Sequence, residues 1–234
     1  TVCSGDSVTF GEHVGNDQTF CSVLAELDPE LETINMGQVG YGVDQAYLWY
    51  RRDADDLDVD VHVFAFITHD FLRMQYDEFM GIPRPVVILE DGKPVVANVP
   101  ISESTYAMPV WLAETLNRAD GLSTVTLANA AREKLNLAPK KVPGAWDARG
   151  AEEVRTVVAR LFEELRDYDS ARSRSTILAY FPSAEELQQP NAELAYWMSV
   201  VESNAQRLDI PFINFVSLFA ELPAADVTRL FVDG

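Results

Sequence analysis

The stretch Cys3-Ser4-Gly5-Asp6-Ser7-Val8-Thr9-Phe10-Gly11 decides how the rest of the chain is read. It has the form of the end of a short apolar strand, a tight turn, and a serine held at that turn. Gly5 can take backbone angles denied to residues with a Cβ, and it lets chain or ligand come close. A serine placed where a strand breaks off stands at the rim of a sheet, where open α/β folds bind their ligands. The order Gly5-Asp6-Ser7-Val8-Thr9 differs from the Gly-x-Ser-x-Gly elbow. Taken alone, Asp-Ser is also an ordinary turn pair, because both side chains bond nearby backbone.

The bulk numbers narrow the setting. A length of 234 residues suits one large α/β domain or two small ones. With 47% hydrophobic and 24% charged residues, the composition is globular and not disordered. No apolar run has the length needed to cross a bilayer. The chain opens at Thr1 inside the expected first strand, so a leader or anchor ahead of it stays open, and with it the compartment. A formal charge of −19 repels phosphate backbones and anionic lipid, which argues against nucleic acid and membrane surfaces as partners. Two cysteines, Cys3 and Cys21, define neither a disulfide framework nor a zinc site. Both are expected to pack as small apolar side chains, on the first strand and the first helix.

Along the chain, Glu12 to Gly15 reads as loop. Asn16 or Asp17 then offers a cap for a helix whose apolar stripe is Phe20, Val23, Leu24 and Leu27. Leu31 to Met36 is a short second strand. It runs into Asn35-Met36-Gly37-Gln38-Val39-Gly40-Tyr41-Gly42, where three glycines require a backbone that bends or approaches something closely. Val43 to Arg52 is a helix. Val59 to Ile67 is the clearest strand, with a continuous apolar run from Val63, as expected of a central parallel strand covered on both faces. It stops at Thr68-His69-Asp70.

Residues from about Phe71 to Gly150 exceed a minimal α/β repeat and read as an insertion after the third strand, where long loops shape substrate access. Within it, Val86 to Leu89 and Val95 to Val99 form a hairpin around the turn pair Asp91-Gly92. Two helical segments follow, near Val110 to Ala119 and Ser123 to Leu135. Tyr41, Tyr76, Tyr106 and Trp111, with Phe79, are candidates to line a substrate pocket; the alternative is that the insertion's aromatics form its own small core. The α/β pattern then resumes with a helix over Ala151 to Tyr168, a strand over Ser175 to Phe181, a helix over Asn191 to Leu208 and a strand over Ile210 to Phe215. Alternation of this kind implies a parallel, doubly wound sheet with right-handed crossovers.

Gly5-Asp6-Ser7-Val8-Thr9, almost at the N-terminus, resembles block I of the SGNH (GDSL-type) hydrolases, and the Gly37 to Gly42 loop resembles block II. The resemblance covers nearly the whole chain, 1–234, as a single domain with an insertion at about 71–150. It implies the flavodoxin-like form of the fold: a three-layer, doubly wound, parallel five-stranded sheet. Gly40 takes the place of the glycine whose amide meets the oxyanion, with Gly37 as the alternative if the register slips. Block III departs from the pattern: Ile67-Thr68-His69-Asp70 stands where the family has Gly-x-Asn-Asp, so His69 replaces the oxyanion asparagine. A neutral imidazole has one N–H to donate. The other reading is that His69 only packs at the strand end. Asp70 reads as a structural residue of the turn. Arg84-Pro85 and Asn98-Val99-Pro100 match an insertion found in some relatives, with no function attached.

The resemblance implies a serine-dependent ester hydrolase with an acyl-enzyme on Ser7, acting on a small ester or an acylated carbohydrate, without metal or organic cofactor. Asp233-Gly234 matches the first half of block V, Asp-x-x-His, so Asp233 is the candidate to orient a histidine two positions further on, with Asp226 as fallback. If the base lies within these residues instead, His13 or His69 must supply it. Two other readings use the same fold: a binding module that has lost the chemistry, and an acyltransferase on the same serine.

Overall fold

In the computed structural model the described residues are 1–79, 82–101, 149–189, 191–227 and 230–231. Five parallel strands form one sheet in the order β2-β1-β3-β8-β9. They are β1 (Val2–Gly5), β2 (Ile34–Gly37), β3 (Val61–Phe66), β8 (Ser175–Tyr180) and β9 (Phe212–Asn214). Parallel neighbours cannot be joined by a tight turn, so each connection crosses a face of the sheet. The crossovers carry α2 (Phe20–Leu27), α3 (Val43–Asp53), α5 (Ala151–Ser170), and α6 (Ala184–Gln188) with α7 (Ala192–Leu208).

The continuous apolar run of β3 is explained by cover on both sides. Phe64 and Phe66 face the larger core with α3, α5 and α7, where Phe162, Leu165 and Trp197 are buried. Val63 and Ala65 face a thinner layer with Cys3, Cys21 and Ala179, closed by Phe20 of α2 and by Phe215 of α8 (Phe215–Ala220). Both cysteines are free and buried, as expected of apolar packers.

Chain order reverses at β1: the chain leaves it toward β2 on one side and returns to β3 on the other. A crevice outside the carboxyl ends of β1 and β3 is therefore the topological switch point, the place where doubly wound sheets bind ligands. Ser7 follows β1 there, and α4 (Thr68–Arg73) follows β3 there.

Several boundaries differ from the sequence expectation, each for a local reason. Ser7, expected at a tight turn, begins a one-turn helix, α1 (Ser7–Phe10), because Asp6 Oδ1 accepts the Val8 N–H at 3.0 Å. The cap of α2 is Thr19, whose Oγ1 accepts the Ser22 N–H at 3.1 Å, while Asn16–Gln18 form a 3₁₀ turn before it. Thr68-His69-Asp70 opens α4. The last strand stops at Asn214 because that side chain caps α8 through the Ser217 N–H at 3.1 Å.

In the insertion, β4 (Glu78–Phe79) pairs with β5 (Ile82–Pro83), and β6 (Val86–Glu90) with β7 (Lys93–Ala97). The β6–β7 turn has Asp91 at φ 50° and Gly92 at φ 74°, the two positive angles of the tight hairpin expected there. The helical segments expected near 110–119 and 123–135, with Tyr106 and Trp111, lie outside the described residues, as does Asp233.

Candidate active site

Ser7 is the first residue of α1, so its N–H has no partner within the helix. Its side chain is half-buried, and its hydroxyl donates to Asp6 Oδ2 at 3.3 Å. Gly5 beneath it allows the turn to close: a Cβ there would lie 2.3 Å from Thr9 Oγ1 and 2.4 Å from the Ala65 carbonyl oxygen.

The glycine loop after β2 resolves two candidates into different roles. Gly37 is a close approach, since an added Cβ would fall 2.1 Å from the Phe10 nitrogen. Its N–H donates to Asn35 Oδ1 at 2.8 Å, and Asn35 Nδ2 donates to the Thr9 carbonyl at 2.7 Å, tying β2 to the serine helix. Gly40 sits at φ 80°, a conformation glycine takes without strain, and its N–H has no hydrogen-bond partner among the described residues. An amide already bonded has less to offer an oxyanion than one left open, which favours Gly40 over Gly37.

The turn after β3 is built on Asp70. Its Oδ2 accepts the Ile67 N–H at 3.0 Å, the structural role read from the sequence. Asp70 and Asp6 are both 1% exposed and lie beside the same Arg73 nitrogen. Burial pushes both above the usual carboxylate range, Asp70 well above, and the facing Asp6 charge raises Asp70 further. Arg73 closes the cluster: its Nη1 donates to Asp70 Oδ1 at 2.5 Å and to the Tyr41 carbonyl at 3.0 Å, and lies 3.6 Å from Asp6 Oδ2. His69 is exposed in the first turn of α4, one residue before Asp70.

Ser7 lies in the wall of a cavity of about 270 Å³. Val8, Val14, Phe20, Phe181, Phe219 and Phe231 supply most of its apolar lining. Leu230 and Phe231 line this cavity together with Ser7. Tyr41 is elsewhere: with Gly40, Leu48, Trp49 and Phe79 it lines a second cavity of about 460 Å³, between α3 and the insertion. Its ring meets Trp49 edge-on at 5.9 Å. Tyr76 is 45% exposed and lines neither of these cavities. Asp226 lies in α9 (Ala224–Val227).

A second serine forms a hydrogen-bonded chain that no motif in the sequence signals. Ser4 Oγ lies 2.6 Å from His62 Nε2, and His62 Nδ1 lies 3.1 Å from Asp169 Oδ2. Tyr50 and Thr176 also donate to Asp169, each at 2.7 Å, and the Tyr50 ring stacks on the imidazole at 3.5 Å. Residue types and order match a nucleophile, base and orienting acid. All three are fully buried, so no ester reaches Ser4, and the chain serves the core. Its members are 58 and 107 residues apart, a separation at which no sequence spacing signals contact.

No family model and no curated protein matches the sequence. Solved structures do. AlinE4, described as an SGNH-hydrolase family esterase, matches with TM-score 0.53 at 11% identity, over 100% of this chain and 82% of that one. An aspartate-to-alanine mutant of the same esterase gives 0.51 at 12% identity, with 100% and 82% covered. A member of the lipolytic protein G-D-S-L family from Veillonella parvula DSM 2008 gives 0.47 at 12% identity, over 100% and 85%. The first two matches establish the likeness as one of fold: a five-stranded parallel sheet between helical layers, as in SGNH hydrolases.

Proposed function

We propose that the chain is a carboxylic ester hydrolase of the SGNH type with Ser7 as its nucleophile. The observation that carries this reading is the position of Ser7: at the switch point of the sheet, first in its helix, in the wall of an open cavity. Its hydroxyl attacks the ester carbonyl, the alcohol leaves, and water releases the acid from the acylated serine. The Ser7 and Gly40 N–H groups and the His69 ring meet the negative oxygen of the intermediate, each such donor typically worth about 3–4 kcal/mol of barrier. Asp233 orients the base, a histidine that the Asp-x-x-His pattern assigns to the second position after Gly234. The likeness to a solved SGNH-family esterase supports the chemistry, and the return of Phe231 to the serine cavity supports the part assigned to the C-terminal segment.

The lining of that cavity bears on the substrate. Carbon surface from valine and phenylalanine suits an apolar chain better than a hydroxyl-rich ring. The ester therefore carries an alkyl chain on the Ser7 side. An O-acetylated sugar is the other substrate class, with its ring against Tyr41 and Trp49.

Hydrolysis of nitrophenyl butyrate by the full-length protein is expected to disappear in Ser7→Ala; equal rates in the two would remove Ser7 from the mechanism. Across acetate, butyrate, hexanoate and octanoate, kcat/KM is expected to climb roughly three- to fourfold per methylene until the cavity is full. A flat or falling series, with turnover of acetylated sugars, would favour the carbohydrate ester. Product analysis with an alcohol acceptor present separates hydrolysis from acyl transfer.

A further inference from the structure

We propose that Arg73 is a positioning residue: from α4, which also carries His69, its guanidinium ties the start of α1 with Ser7 and the loop with Gly40 to that helix and presets the spacing between nucleophile and oxyanion donors. This rests on the reading of Ser7 as the nucleophile. The argument comes from which atoms Arg73 touches. Its partners are Asp6 at the cap of α1, the Tyr41 carbonyl of the glycine loop and Asp70 one turn earlier in α4. Each is the immediate chain neighbour of a candidate: Asp6 precedes Ser7, Tyr41 follows Gly40 and Asp70 follows His69. One cation therefore holds the neighbours of all three groups at once.

The contacts extend to the reactive atoms. Asp6 reaches Arg73 with one carboxylate oxygen, and that same oxygen accepts the Ser7 hydroxyl, while the other caps Val8. The Phe79 ring lies 5.4 Å from the guanidinium carbon, and an added Cβ on Gly40 would fall 2.8 Å from that ring. The Arg73 side chain is 18% exposed, so water screens these contacts little. All three contacts converge on Nη1, which donates to the Asp70 carboxylate and the Tyr41 carbonyl with Asp6 alongside.

The alternative is an ordinary buried ion pair that contributes stability alone. Steady-state kinetics on the full-length protein distinguishes the two, with Arg73→Met, Arg73→Lys and Asp70→Asn compared against the unmodified protein and a Ser7→Ala blank. A displacement of about 1 Å in a reacting group costs on the order of 100-fold, so Arg73→Met is expected to lose about that factor in kcat. KM is expected to change less than about threefold, because uniform binding is untouched. Arg73→Lys should keep an intermediate rate, and millimolar guanidinium chloride should restore part of the Arg73→Met activity, which a purely structural role would not allow. If Arg73→Met fails to fold, the lysine variant and Asp70→Asn carry the same comparison. A folded Arg73→Met with kcat within about threefold of the unmodified protein overturns the clasp. Absence of Ser7-dependent turnover in the unmodified protein overturns the hydrolase reading instead. The clasp is then read by amide exchange, which Arg73→Met must accelerate over residues 5–11 and 37–42 but not over α5; unchanged exchange overturns it too.

Discussion

Gly37 is the residue on which the serine helix rests most directly. A Cβ there would strike the Phe10 nitrogen at 2.1 Å and the Thr9 carbonyl carbon at 2.5 Å. Both are backbone atoms of α1 and cannot rotate aside, so Gly37→Ala must push the helix that carries Ser7 away from β2. Overpacking of this kind costs about 1–3 kcal/mol, expected as a lower urea midpoint with an unchanged slope. Activity should fall with it, since the displaced element is the one that carries the hydroxyl. A variant with wild-type stability would mean that the loop relaxes around the methyl group. The resemblance put Gly40 first, with Gly37 as the alternative if the register slipped. What separates them is a side chain, Asn35, that occupies one amide and leaves the other open, and no glycine spacing encodes that.

At the scale of elements, the hairpin of the insertion is held to α3 and to the end of α4 by a buried ionic knot. Asp44, at the start of α3, accepts the Gln45 and Val87 N–H groups at 3.0 and 3.3 Å and lies 3.9 Å from Arg149. Arg84 and Arg149 in turn donate to the Arg73 and Met74 carbonyls at the end of α4, so each helix end or strand supplies what another lacks. Burial raises the Asp44 carboxyl, and the two guanidinium charges pull it back down in part. Asp44→Ala leaves two buried cations without their counter-charge and is expected to cost roughly 3 kcal/mol. Asp44→Asn keeps an acceptor and should cost less. Chemical denaturation followed by tryptophan emission checks both, and a loss within about 0.5 kcal/mol would place Asp44 among ordinary surface positions. The hairpin itself was legible from Asp91-Gly92 between two apolar runs. The knot was not, because Asp44, Arg84 and Arg149 meet only once the sheet has formed.

At the scale of the whole molecule, continuous apolar runs and their alternation with helical stripes made the layered sheet legible, since strands covered on both faces admit few polar residues. His62 is the exception within β3, and it governs how the fold responds to acid. Burial holds its imidazole below the usual 6.5, against the opposing pull of Asp169. The unfolded chain therefore takes up a proton near pH 6.5 that the folded chain refuses, and stability falls as pH drops below that value. Asp169 adds a second loss below its ordinary 3.8: burial raises it, but the hydrogen bonds from His62, Thr176 and Tyr50 together leave it lowered. Asp6, Asp44 and Asp70 are raised and act in the opposite sense, favouring the fold as pH falls. The His62 contribution is isolated by difference: the stability gap between the unmodified protein and His62→Gln should narrow below pH 6.5, by at most about 1.4 kcal/mol per pH unit. A gap independent of pH would mean that the imidazole titrates normally in the fold. The sealed chain around His62 also bears on how the protein would respond to covalent serine probes. A fluorophosphonate recognises accessibility as well as residue identity, so adducts should map to the peptide bearing Ser7 and spare the hydroxyl three positions earlier. Any search for catalytic groups by interatomic template alone would select Ser4, and it would select a serine that no reagent in solution can touch while the fold is intact.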